Sequence, residues 1–146
     1  MRVSGRIDFA IRAAVELASR AGTVRLEDIA QAQSLPTEYV RSAMRDLRRS
    51  GIVGSRRGHD GGYYLIRDPS DVTLADIIRA VDGPLTEVRG ERPDRVTYTG
   101  AAAPLKDVWL ALRVNERRIL ESVSVADIVT GQLPNAVTEA LATIDT

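Results

Sequence analysis

The sequence predicts a mainly α-helical protein with one small two-stranded β-hairpin near its middle and a long helix behind it. Three observations predict this. Apolar residues recur every three or four positions through most of the chain. That period breaks once, in a glycine-rich stretch between about 52 and 66. A sustained aliphatic stripe then runs from Leu105 to Val123.

Ile7, Ala10, Ile11, Ala14, Leu17 and Ala18 form one face of a first amphipathic helix, ending before Gly22. Leu26, Ile29 and Ala30 point inward from a second helix running to about Gln33, and Ser34-Leu35-Pro36 interrupts it. Thr37 is placed to cap a third helix with Val40, Met44 and Leu47 on its buried face, stopping at Gly51. The runs Ile52–Arg56 and Gly62–Ile66 then read as strands, because β-branched and aromatic residues flank a turn rich in glycine.

Thr73-Leu74-Ala75-Asp76 has the form of a capping box with Asp for Glu, opening a helix with Leu74, Ile77, Ile78 and Val81 on one face. Gly83-Pro84 closes it. Residues 86–103 are polar and aperiodic, and a loop of that length is either functional or an idle linker. Pro104 suits the first position of the long helix. Ser124 with Asp127 marks a short helix ending at Gly131, and Asn135 is placed to cap a last one with Val137, Leu141 and Ile144 inward.

A chain of 146 residues, 44% apolar, can bury one ordinary core. No apolar run approaches the ~18 residues of a membrane span, and the start lacks the pattern of a secretory leader. A cytoplasmic protein with no membrane partner is expected. Cysteine is absent and His59 is the sole histidine, which excludes disulfides, thiolate nucleophiles and histidine-rich zinc sites. No nucleophile elbow, phosphate-binding loop or recognisable pair of catalytic carboxylates is present, so an enzyme is not expected. The zero net charge hides an asymmetry: residues 1–67 carry +5 and residues 68–146 carry −5. A basic half joined to an acidic half suggests a polyanion-binding module beside a module with another task.

Three helices, the last two joined by a short turn, followed by a glycine-tipped hairpin, make a winged helix-turn-helix. A helix fits the major groove of duplex DNA, and residues near its N-terminus reach base edges. The outward face of the third helix carries Thr37, Glu38, Tyr39, Arg41, Ser42 and Arg45. Arg41 and Arg45, one turn apart, can read guanine or grip phosphates. Thr37 and Ser42 can donate to phosphate oxygens, Tyr39 can pack or donate, and Glu38 can accept from cytosine or repel wrong sequences. The hairpin tip offers Arg56 and Arg57, suited to a narrow minor groove. His59 can add a backbone contact, although an ordinary exposed turn residue is the simpler reading.

These parts, and above all Gly61-Gly62-Tyr63 followed by Thr73-Leu74-Ala75-Asp76-Ile77-Ile78 and Val81-Asp82-Gly83-Pro84, resemble the Rrf2 family of regulators, the group of IscR, NsrR and CymR. The resemblance is close over residues 1–85 and looser over the long helix. It implies a winged helix-turn-helix DNA-binding domain at 1–85, a linker or sensor loop at 86–103, and a dimerisation unit at 104–146. It implies a homodimer on a pseudo-palindromic operator, and a repressor is the expected role. Many members of the family hold an iron–sulfur cluster on three cysteines between the Gly-Pro and the long helix. This chain has none there, so no cluster and no cofactor are expected, and Asp8, in the region where some members supply a further ligand, reads as a surface charge.

Leu105, Val108, Leu112, Asn115 and Ile119 approximate a heptad seam for the dimer, with Trp109 beside it. Asn115 either fixes register or lies exposed. Trp109 reads as interfacial or core. Tyr98 and Trp109 are candidates to line a small pocket for an effector. An alternative function is a protein-interaction module acting through a partner enzyme, its DNA binding lost or secondary. Arg41, Arg45, Arg56 and Arg57 favour DNA, because a retired surface has no reason to keep them.

Overall fold

A computed structural model of the chain describes residues 1–144. Among the described residues, seven α-helices and one hairpin follow in the order α1 (Gly5–Ala18), α2 (Leu26–Gln33), α3 (Thr37–Arg49), β1 (Val53–Arg56), β2 (Gly62–Leu65), α4 (Leu74–Asp82), α5 (Leu105–Leu120), α6 (Val125–Thr130) and α7 (Asn135–Leu141). The mainly helical class with a two-stranded wing is as the sequence predicts.

Helix α1 is the hub, packed by α2, α3, α4, α6 and β2. Of the six inward positions the spacing predicts, Ile11 and Ala18 are only half-buried, while Ile7, Ala10, Ala14 and Leu17 are buried and Ala13 joins them. Three of these five are alanine, so backbones approach closely on several sides. Ile29 of α2 and Val40, Met44 and Leu47 of α3 are completely enclosed. A side chain as enclosed as Met44 contributes about 2–5 kcal/mol when measured by truncation to alanine. Leu35 fills the corner between α2 and α3. Ser34 turns the chain there in the left-handed region, φ 53°, and its backbone N–H closes α2.

Local chemistry sets several boundaries. Thr73 and Asp76 exchange side-chain and backbone hydrogen bonds at 3.1 Å each, completing the capping box of α4. Ser124 and Asp127 do the same for α6. Each such cap is worth roughly 1 kcal/mol. Two expected caps are corrected. Pro36, not Thr37, occupies the cap position of α3, and Pro134, not Asn135, that of α7; both helices start without a side-chain cap. Proline's fixed φ sets up the turn at both sites, leaving Thr37 and Asn135 as the first helical residues.

The three C-terminal helices divide. Val123 and Val125 are buried, Val125 within the same core as α1, and Leu74 donates its backbone N–H to Val123 at 2.9 Å. By contrast, α5 has no fully buried residue, and Leu141 and Ile144 stay exposed rather than facing inward. No helix among the described residues is long and apolar enough to cross a membrane.

Candidate nucleic-acid interface

Helix α3 has a steep division of character. One side buries Val40, Ala43, Met44 and Leu47; the other exposes Thr37, Glu38, Arg41 and Arg45 to solvent. Ser42 is half-buried, and its hydroxyl accepts from Arg45 at 3.3 Å. Tyr39 is 55% exposed and leans on Phe9 of α1, ring centres 5.2 Å apart. Phe9, Tyr39 and Ser42 share the wall of a cleft of about 460 Å³ between α1 and α3.

The orientation of α3 has a polar anchor that the sequence reading did not find. Asp46 lies among its buried residues, with its side chain fully enclosed. Arg6 of α1 donates to one carboxylate oxygen at 2.7 Å and Arg49 to the other at 2.5 Å. The hydrogen bond to Asp46 raises the Arg6 pKa above its ordinary value, so this guanidinium stays charged. A buried carboxylate without partners would cost several kcal/mol, which makes the two arginines obligatory neighbours. An i,i+3 Asp–Arg pair was the available signal, but nothing in the local pattern points to Arg6.

The wing is a short antiparallel ladder in which Val53 faces Leu65 and Arg56 faces Gly62. It is fastened to the body: Val24 and Tyr63 exchange two backbone hydrogen bonds of 2.8 Å. Thr23 adds a hydroxyl bond to the Asp60 carbonyl at 2.9 Å. Glycine is required at the tip. A Cβ on Gly62 would lie 2.6 Å from the Val24 carbonyl oxygen, and one on Gly61 would lie 2.4 Å from that of Arg56. Arg56 sits over the Tyr64 ring, 5.7 Å from its centre. Arg57 and His59 are exposed. His59 shares a cleft with Arg20 and Arg25, two cations the sequence reading passed over because they lie on separate elements.

The residues expected on the dimer seam take two environments. Leu105, Val108 and Leu112 are 39%, 53% and 40% exposed in the single chain, an apolar row on α5 that its own fold covers only in part. Trp109 and Ile119 are half-buried. Asn115 is exposed and donates to the Ala111 carbonyl at 3.1 Å. Trp109 donates its indole N–H to the Tyr98 hydroxyl at 2.9 Å. It also lines a cavity of about 300 Å³ with Leu85, Val88 and Leu112, a cavity Tyr98 does not line. The 86–103 segment is ordered by two buried anchors, Pro93 and Val96.

A helix-turn-helix with an open cationic helix and a glycine-tipped hairpin defines the winged-helix class of transcriptional regulators. Residues 3–131 match the Rrf2 family, described as iron-dependent transcriptional regulators, and the chain belongs to that family. It is a family of regulators, not of enzymes. The chain is 40% identical over 141 residues to a protein of Mycobacterium tuberculosis named as an HTH-type transcriptional regulator, covering 95% of this chain and 88% of that one. It is 29% identical to the HTH-type transcriptional regulator CymR of Bacillus subtilis, covering 89% and 91% of the two chains. The solved structure of CymR, the global cysteine regulator of that organism, superposes with a TM-score of 0.77 at 28% identity over 90% of this chain and 98% of that one. IscR of T. potens gives 0.73 at 28% identity over 92% and 93%.

The iron named in the family's description implies a cofactor, and the donor set here does not fit a cysteine-held cluster. The chain has no cysteine and a single histidine, His59, exposed at the wing. Among the described residues no group of three or more His, Asp or Glu is placed to hold a metal ion.

Proposed function

We propose that this chain is a sequence-specific DNA-binding repressor that acts as a homodimer on a pseudo-palindromic operator. The observation that carries the reading is the common exposure of Arg41 and Arg45 on the open side of α3, with Arg56 and Arg57 on a wing fastened to the same body. Arg41 and Arg45 read or grip the major groove, with Thr37, Glu38, Tyr39 and Ser42 beside them. Arg56 and Arg57, with His59, follow the neighbouring minor groove and backbone.

Residues 1–85 serve as the DNA module, 86–103 as the link, and residues from 104 onward as the dimer module. Support for the dimer comes from the row Leu105, Val108 and Leu112, which the chain leaves partly exposed. Burying it against a second copy gains about 25 cal/mol per Å² of apolar surface, before the entropic cost of association. Two copies then present two recognition helices about one duplex turn apart, ~34 Å, which is the geometry of an inverted repeat. Such a dimer represses by occupying a promoter.

The test is selection of bound fragments from genomic DNA with purified protein at two salt concentrations. Recovery of one inverted repeat, with affinity falling steeply as salt rises, supports the reading. Recovery of no enriched sequence at either salt overturns it.

A further inference from the structure

We propose that Tyr64 is a positioning residue for DNA binding: its ring holds the Arg56 guanidinium ready for a backbone phosphate on the flank of the wing. The proposal rests on the DNA-binding reading above. Register sets Gly54 opposite Tyr64 and Arg56 opposite Gly62, so these four residues share one face of the ladder. Tyr63 and Leu65 lie on the other face and pack against the core.

Two glycines make room for the arrangement. A Cβ on Gly54 would lie 2.5 Å from Cζ of Tyr64 and 2.6 Å from its hydroxyl oxygen. The ring therefore lies across the strand at Gly54, and a side chain there would push it away. Gly62 offers Arg56 no side chain directly opposite. The arginine leans instead to its diagonal neighbour, its guanidinium carbon 5.7 Å from the centre of the Tyr64 ring. Diagonal cross-strand positions are within reach of aromatic and long side chains.

Arg56 differs from the cations beside it. Arg20 and Arg67 line the same cleft, but Arg20 pairs with Glu16 at 2.7 Å and Arg67 with Asp76 at 3.5 Å. The Arg56 side chain makes no ion pair or hydrogen bond among the described residues. The ring attracts its charge while leaving the planar fork of N–H donors open to phosphate oxygens. The contact also draws the guanidinium back toward the 54–64 pair, and Arg57 remains as the cation of the tip. Holding one rotamer-rich side chain before contact raises affinity roughly two- to tenfold, because less freedom is lost on binding.

The experiment is a double-variant cycle read by fluorescence anisotropy over a salt series. The probe is a labelled duplex carrying the inverted repeat selected by the parent chain. The variants are Tyr64→Phe, Tyr64→Leu, Arg56→Gln, and Tyr64→Leu combined with Arg56→Gln or with Arg57→Ala, each checked for folding by circular dichroism. Should Tyr64→Leu not fold, Gly54→Ala, which displaces the ring, takes its place. Proton spectra of the free chain read the contact directly.

The expected result is parental binding by Tyr64→Phe. Tyr64→Leu weakens binding roughly two- to tenfold with its salt slope unchanged, since the phosphate contact survives. Arg56→Gln flattens the slope by about 0.9, the share of one phosphate. In the Arg56→Gln background Tyr64→Leu has no further effect. In the Arg57→Ala background it keeps its full effect, which distinguishes a positioned Arg56 from a loosened wing. Ring current moves the Arg56 δ-protons upfield in the parent, and Tyr64→Leu removes that shift. An equal loss in Tyr64→Phe and Tyr64→Leu would put the hydroxyl itself on DNA and overturn the proposal. So would the same Tyr64→Leu loss with and without Arg56, or the absence of the upfield shift. A parent that selects no duplex overturns the DNA reading and this proposal together; a selected duplex with independent losses overturns the positioning alone.

Discussion

Arg6 and Asp46, forty positions apart, meet at 2.7 Å in the joint between the first helix and the third. The carboxylate is wholly enclosed, while about half of the Arg6 side chain remains in water. The helix that presents Arg41 and Arg45 is thus held by a charge anchor as well as by Val40, Met44 and Leu47.

That anchor predicts a non-additive pair of substitutions. Arg6→Met leaves Asp46 with Arg49 and costs about 1–2 kcal/mol of stability. Arg49→Met likewise leaves Arg6 in place. Changing both strands a buried carboxylate, at a cost of about 3–5 kcal/mol or more, exceeding the sum of the singles. Urea denaturation of the three variants measures the coupling, and strict additivity would refute it.

The recognition face predicts a split between specificity and salt response. Arg41→Ala and Arg45→Ala each weaken binding to a selected operator by about 1–3 kcal/mol if bidentate to guanine, and relax preference at one position. Arg57→Ala lowers affinity for all sequences and flattens the salt dependence. Fluorescence anisotropy over a salt series separates the two behaviours. Parental binding by all three variants would show that the DNA surface lies elsewhere.

The partly exposed row on α5, taken as the proposed dimer seam, predicts that Val108→Asp or Leu112→Asp yields monomers. Either change removes about 1.5–3 kcal/mol of apolar burial per copy and places a carboxylate at the seam. Because α5 buries no residue fully in its own chain, the monomer should keep its helix content. Sedimentation equilibrium with circular dichroism tests both halves of the statement.

The wing tip predicts damage confined to one element. Gly61→Ala would set a Cβ against the Arg56 carbonyl oxygen, so the tip must open. A cost of about 1–3 kcal/mol, typical of overpacking, is expected. Amide spectra should shift in the hairpin and around Val24, with α1 to α3 unchanged. Shifts spread through α1 to α3 would contradict the confinement.

Glu121 predicts an acid-sensitive joint between α4 and α5. Its pKa is lowered in the folded chain by Arg79 and Arg117, so its contribution is complete above the unfolded value, ~4.3. It is lost as pH falls through the folded value, when the unfolded state binds the proton more readily. Glu121→Gln should therefore be destabilising near neutral pH, and the difference should vanish in acid. Urea midpoints for parent and variant across that range check the sign.

The parts legible in the sequence are those decided within a few residues. Thr73 with Asp76 and Ser124 with Asp127 could be read as capping boxes because both partners lie within one turn. The apolar spacing of α1 to α4 and the glycines of the wing were legible for the same reason. Thr37 and Asn135 misled because a good capping residue stood one place after a proline that had already taken the position. Asp46 was hidden because its burial depends on a partner from another helix. The 86–103 segment could be read only as either a functional loop or an idle linker, because its order rests on two isolated anchors, Pro93 and Val96, and on the Tyr98–Trp109 hydrogen bond, none of which forms a period.

The pairing of Val24 with Tyr63 bears on the kinetics of encounter. A hairpin free to sway would have to settle after first touching a duplex, and the settling step would limit association. Two backbone bonds hold this one in place beforehand. On the proposed DNA-binding reading it would meet a duplex as a stiff prong, and the speed of capture would then be set by diffusion and long-range charge attraction. Little ordering heat capacity should accompany the event beyond that of the surfaces brought together.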